Sequence, residues 1–166
     1  MAVDGKNEAM VRLLVEAGAD VSAEAGYPPL SNEDDDDLDS SGEDNEDMTP
    51  LDRTAGLGHT AIVHFLLNSG ANVERYNGHV RNALHHAAKG GSSAVVRMLI
   101  DAGAELELQD VDMRTPLHFA ASGGDNYAVV KILIDAGASI DRPDVDGRTP
   151  RFWLSPILRE ARPLQK

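Results

Sequence analysis

The sequence contains no cysteine. That excludes disulfide staples, thiolate metal centres and a cysteine nucleophile. Aromatic residues are scarce too: three Phe, three Tyr and one Trp among 166 residues. A core must therefore be built from aliphatic and small side chains, which favours thin helices in close contact. No apolar run approaches the roughly 18 residues needed to span a bilayer, and the N-terminus lacks the form of a signal peptide. These absences point to an intracellular protein, in cytoplasm or nucleus, without a membrane partner. Bases are outnumbered, 15 Lys and Arg against 28 Asp and Glu, for a net charge of −13. A nucleic-acid-binding face needs a basic stripe, so nucleic acid is not an expected partner.

The charge is unevenly placed. Ten acids and no base lie between Glu33 and Asp47. Residues 151–166 carry four bases against Glu160. The rest of the chain is only mildly acidic.

An internal period underlies the composition. Gly-Ala occurs at Gly18-Ala19, Gly70-Ala71, Gly103-Ala104 and Gly137-Ala138, the last two steps being 33 and 34. Thr-Pro occurs at Thr49-Pro50, Thr115-Pro116 and Thr149-Pro150, with Asn82-Ala83 in the intervening slot, at steps of 33, 33 and 34. Two independent markers keep one step. Within each unit, Thr or Asn is an N-cap and Pro suits the first helical position. Small residues follow (Ala87-Ala88, Ala120-Ala121), and glycine ends this first helix at Gly58, Gly91 and Gly124. A second helix carries aliphatics at helical spacing: Ile62, Val63, Leu66 and Leu67, then Val95, Val96, Leu99 and Ile100, then Val129, Val130, Leu133 and Ile134. The glycine of each Gly-Ala pair suits a left-handed C-cap. About a dozen residues of β-turn character lead to the next cap.

Thr115-Pro116-Leu117-His118-Phe119-Ala120-Ala121 resembles the signature of the ankyrin-repeat family. Asn82-Ala83-Leu84-His85-His86-Ala87-Ala88 is a variant of it, and Thr49-Pro50-Leu51-Asp52 a looser one. The resemblance covers residues 5–21 and 49–150. It implies an all-α repeat solenoid of helix–turn–helix units with β-turn fingers. The expected array runs over residues 1–150: a partial repeat at 5–21 and full repeats at 49–81, 82–114 and 115–148. An acidic disordered insertion, 22–48, interrupts one finger, and 149–166 form a broken repeat with a basic tail.

Three departures from the pattern stand out. Gly5 aligns with Gly58, Gly91 and Gly124, so the first unit begins at its second helix. Nineteen extra residues lie between Gly18 and Thr49 relative to the other units. The unit at Thr149 has Arg151 where the family has Leu, Phe152 where it has His, and Pro156 inside the expected helix, where proline costs about 3 kcal/mol. Solenoids need polar capping repeats, and neither end supplies one. A fragment of a longer array is the favoured reading, alongside a degenerate stand-alone copy; the chain is expected to be monomeric or part of a longer chain.

Six histidines, His59, His64, His79, His85, His86 and His118, raise a metal hypothesis. No zinc-binding spacing is present. The resemblance gives His85 and His118 a structural task, hydrogen bonding within and between repeats. Gly56-Leu57-Gly58 is not followed by a phosphate-binding Lys-Ser/Thr, and no Gly-x-Ser-x-Gly elbow occurs. No catalytic residue, metal or cofactor is expected, and the chain is not read as an enzyme.

The expected function is protein–protein interaction through fingers and concave face, with a protein partner of unknown identity. The resemblance implies contacts at His79, Arg81, Lys89, Val111, Asp112, Arg114, Ser122, Val145, Asp146 and Arg148. Arg81, Arg114 and Arg148 recur once per unit and are expected to form a ridge suited to carboxylates or phosphates. Fifteen flexible residues reach on the order of 20 Å, which puts Arg81 and Arg114 within range of the acidic tract as a weak, salt-sensitive mask; the alternative is a tolerated insertion. Ser31, Ser40 and Ser41 each have an acid three residues on, a pattern that resembles the preference of acid-directed kinases. Three rival readings stay open: a scaffold piece of a longer array, an acidic-tract binder of basic proteins such as histones, and an inhibitor of a kinase-like enzyme.

Overall fold

The computed structural model describes residues 48–123 and 126–154, together with residues 9, 12, 13, 17–19 and 21. The acidic tract, with Ser31, Ser40 and Ser41, lies outside them, as do Gly5 and Pro156. Six helices follow in pairs: α1 (Pro50–Gly56) with α2 (Thr60–Asn68), α3 (Ala83–Gly90) with α4 (Ser93–Asp101), and α5 (Pro116–Ser122) with α6 (Tyr127–Asp135). Residues 150–154 are helical as well. The first helices α1, α3 and α5 stack on one another, and α2, α4 and α6 form a second layer behind them. The described residues form an all-α repeat solenoid, as the resemblance implies.

The core is a set of ladders with the repeat's own step. Leu51, Leu84 and Leu117 are all buried, as are Val63, Val96 and Val130, and Leu66, Leu99 and Leu133. Each such side chain contributes roughly 1.5–3 kcal/mol on burial. At the next rung stands Arg151, which turns outward and grips Asp141 with Nε and a terminal nitrogen at 2.6 and 3.0 Å. Leu154, three residues on, is buried instead. The first helices approach so closely that a Cβ on Gly90 would collide with the carbonyl oxygen of Gly56. Small residues at Ala55, Ala87, Ala88, Ala120 and Ala121 make that approach possible.

Every first helix starts in a reciprocal capping box. In the third box, the Thr115 N–H donates to His118 Nδ1 at 3.0 Å. That leaves His118 Nε2–H to donate to the Arg148 carbonyl of the following finger at 3.2 Å. His85 repeats the arrangement, with Nε2 at 3.3 Å from the Arg114 carbonyl. Both histidines therefore tie the first helix of a unit to the finger at its end, a hydrogen-bonding task of the kind that the resemblance implies.

The first box differs. Asp52 replaces histidine, and its Oδ2 accepts from the Thr49 N–H and hydroxyl at 2.9 and 2.8 Å. An ionised carboxylate has no proton to give to a carbonyl of the next finger. Asp52 is only 1% exposed, and burial pushes its carboxyl up to about 6, against the pull of the Thr49 hydrogen bonds and Arg75. Burial pushes His85 down to about 4 and lowers His118 as well.

These groups act on stability in opposite senses. Asp52 contributes most when protonated, and that contribution is lost as pH rises through about 6. His85 contributes when neutral, and its contribution is lost as pH falls below about 6.5 toward 4; His118, lowered by burial, acts in the same sense. Asp52→Asn keeps the acceptor without the charge. It should raise the unfolding free energy in urea by about 2 kcal/mol more at pH 7.5 than at pH 4.5. An equal gain at both pH values would contradict the buried, protonation-sensitive carboxyl.

Candidate finger and concave-face interface

The fingers are built from one Asx-centred turn, repeated. Asn77, Asp110 and Asp144 each open a turn closed by a backbone bond from the residue three on: Val80 to Asn77, Met113 to Asp110, Gly147 to Asp144. The side-chain Oδ1 of each accepts two more N–H groups, from His79 and Arg81, Asp112 and Arg114, and Asp146 and Arg148, at 2.8–3.0 Å. Asn or Asp is required because only a short side chain with an oxygen reaches its own backbone two residues on. Successive fingers are also tied together. The Val111 N–H donates to the His79 carbonyl at 3.1 Å, and the Val145 N–H to the Asp112 carbonyl at 3.0 Å.

This framework sets the arginines, and it corrects the expected ridge. Arg81 is 9% exposed. Its Nε lies 3.0 Å from Asp110 Oδ2, and its guanidinium sits 5.1 Å from the centre of the Phe119 ring. Arg114 lies 4.9 Å from the same ring and pairs with Asp110, at 3.3 Å, and with Asp112. Arg148 pairs with Asp146 at 3.0 Å and stays half exposed. Burial alone would raise the Asp110 carboxyl; the Arg114 N–H and the two guanidiniums outweigh it and hold it below the usual carboxylate range. The arginines are thus already neutralised by finger carboxylates. An open cationic row, available to acidic residues 33–47, is not what these side chains form.

Other expected contacts are distributed as follows. Asp112, Arg114, Ser122, Val145, Asp146 and Arg148 line one cavity of about 330 Å³. His79 is half-buried beneath the next finger, Lys89 is exposed at the end of α3, and Val111 is exposed beside the cavity's finger. The same cavity takes Asp144, His118, Phe119 and Trp153 into its wall. Phe119 and Trp153 were not among the expected contacts. Their separation by one full repeat step was the available signal. Among the described residues no group of three His, Asp or Glu is placed to hold a metal ion, and no helix is long and apolar enough to cross a membrane.

A family model described as ankyrin repeats, three copies, matches residues 1–110 and 74–144. The chain belongs to the ankyrin-repeat family. Ankyrin repeats are generally protein–protein interaction modules and typically non-catalytic. A comparison with curated proteins returned no significant match.

One position in each ankyrin finger is left-handed: Val80 at φ 59°, Met113 at φ 60° and Gly147 at φ 75°. Glycine adopts this region freely, whereas a side chain costs roughly 1–2 kcal/mol there, and a β-branched one is the worst case. Val80→Gly should therefore stabilise the protein by about 0.5–1 kcal/mol, after subtracting the added freedom of the unfolded chain. Met113→Gly should follow with a smaller gain. Urea midpoints check both, and a loss in the Val80 variant would mean that the side chain's packing outweighs its backbone strain.

Proposed function

We propose that the chain is a non-catalytic interaction module that binds a protein partner through its fingers and the adjoining first helices. The array is read as a partial repeat (5–21), three full repeats (49–81, 82–114, 115–148) and a broken unit (149–166), interrupted by an acidic insertion (22–48). The observation that carries the reading is a line of exposed apolar side chains on rigid turns. Val111, Met113 and Val145 are 55, 45 and 64% exposed, yet their backbones are fixed by bonds within and between fingers. Apolar side chains held rigidly in water give up little ordering entropy when a partner covers them. Asp112, Arg114, Ser122, Asp146, Arg148, His79 and Lys89 supply the polar surround. Arg81 supports the surface from beneath.

Co-purification of a partner with the wild-type chain, compared with Val111→Asp/Val145→Asp, tests this. The double variant should lose at least about tenfold in partner recovery, the size of one buried hot-spot contact, with an unchanged melting curve. Lys131→Asp, on α6, should not. Deleting residues 30–48 should spare binding. Loss on that deletion, with no effect of the finger variant, would transfer the function to the acidic tract.

A further inference from the structure

The repeat fills one cation slot and leaves the next one open. Between the fingers that open at Asn77 and Asp110, Arg81 lies over Phe119 and gives its Nε to Asp110 Oδ2. One repeat on, Asp144 stands in the place of Asp110 and Trp153 in the place of Phe119, each by the same step along the chain. Arg114 stands in the place of Arg81, but it does not reach forward. The reason lies two residues before it. Arg81 has His79 at that point in its own finger, whereas Arg114 has Asp112, which draws it back. Accordingly Arg114 Nε, the counterpart of the atom Arg81 gives to Asp110, has no hydrogen-bond partner among the described residues. Arg148 is drawn to Asp146 in the same way. Asp144 spends Oδ1 on two backbone N–H groups and forms no ion pair among the described residues. Where the cation would lie is the cavity of about 330 Å³, with Asp144 and the 37%-exposed Trp153 in its wall.

We propose that this slot receives an arginine side chain of the protein partner, stacked on the Trp153 indole and hydrogen-bonded to Asp144. The arrangement reproduces Arg81, Phe119 and Asp110 between two chains. It rests on the interaction-module reading and specifies the partner's chemistry. Charge favours it: the wall carries three carboxylates (Asp112, Asp144, Asp146) against two guanidiniums, and His118 is kept neutral by burial. The net charge of −13 adds long-range attraction for a cation. A planar guanidinium can stack and donate at once, which a lysine ammonium cannot do in the same geometry.

The protein has one tryptophan, so its indole N–H resonance reports on the slot. The full chain, labelled with ¹⁵N, is titrated with acetyl-Gly-Arg-Gly-amide and with the citrulline, lysine and glutamate counterparts. The arginine peptide should move the indole signal saturably, and less as salt is raised. The neutral citrulline peptide should bind about tenfold more weakly, as should the arginine peptide to Asp144→Asn. That substitution leaves the turn intact, since Asn77 holds the same place in the finger of His79 and Arg81. An indole that responds equally to citrulline or glutamate, or an Asp144→Asn variant of unchanged affinity, overturns the proposal. So does an indole that responds only after Arg159→Ala and Arg162→Ala, because the slot then belongs to the chain's own C-terminal arginines. If the Val111→Asp/Val145→Asp variant still loses the partner while Asp144→Asn has no effect, the interaction surface stands and the arginine slot falls.

Discussion

One neutral imidazole, His85, holds the second helix pair to the finger that opens at Asp110, and another, His118, holds the third pair to the finger that opens at Asp144. The His118 ring accepts from the Thr115 N–H on Nδ1 and donates to the Arg148 carbonyl from Nε2, and His85 stands between the same two places, its Nδ1 against the Asn82 cap and its Nε2 3.3 Å from the Arg114 carbonyl. This works only while the ring is uncharged and fixed in one tautomer, because an imidazolium could not accept from the cap. The carbonyls so engaged are those of Arg114 and Arg148, the residues that follow the left-handed turn positions. The position of each finger over its helices is therefore set by the stitch beneath it, and with it the aim of the arginine. Asp52 cannot form the same bridge when ionised, so the first junction relies on packing among Leu51, Ala55 and Leu84.

From that constraint the surface follows. With the fingers fixed by stitches below and by bonds between neighbours, their carboxylates lie at the spacing of the repeat and take up the arginines in turn. Arg81, with His79 two residues before it, reaches forward to Asp110, whereas Arg114, with Asp112 at that point, pairs within its own finger. A single change in the turn thus converts a self-filled slot into an open one. The exposed valines and methionine beside it cost little as long as the turns stay rigid.

Much of this was legible in the sequence. The constant repeat step, the caps at Thr49, Asn82 and Thr115, and the aliphatic stripes of the second helices all depend on local chemistry, and the helices stand where that chemistry predicts. The arginines were not legible. Read one at a time they are surface residues in a common slot; their burial and pairing depend on the carboxylate of Asp110 and on the Phe119 ring of the following helix. Trp153 was obscured for a related reason. It sits in the unit that opens with Arg151 in place of leucine, a unit read as failing, so its equivalence to Phe119 carried no weight until both stood in one structure. The acidic tract was legible as charge, but its expected targets are already held by Asp110 and Asp112.

The direct test of this account is long-range ¹H–¹⁵N NMR of the histidine rings across a pH titration. His118 should appear as the neutral tautomer protonated on Nε2, and both rings should titrate below 6.5, with His85 still neutral at pH 6, because burial lowers His118 and pushes His85 down to about 4. Rings that titrate near 6.5, or that exchange between tautomers at pH 7, would mean that no fixed imidazole joins the repeats, and the positions of the fingers would need another cause.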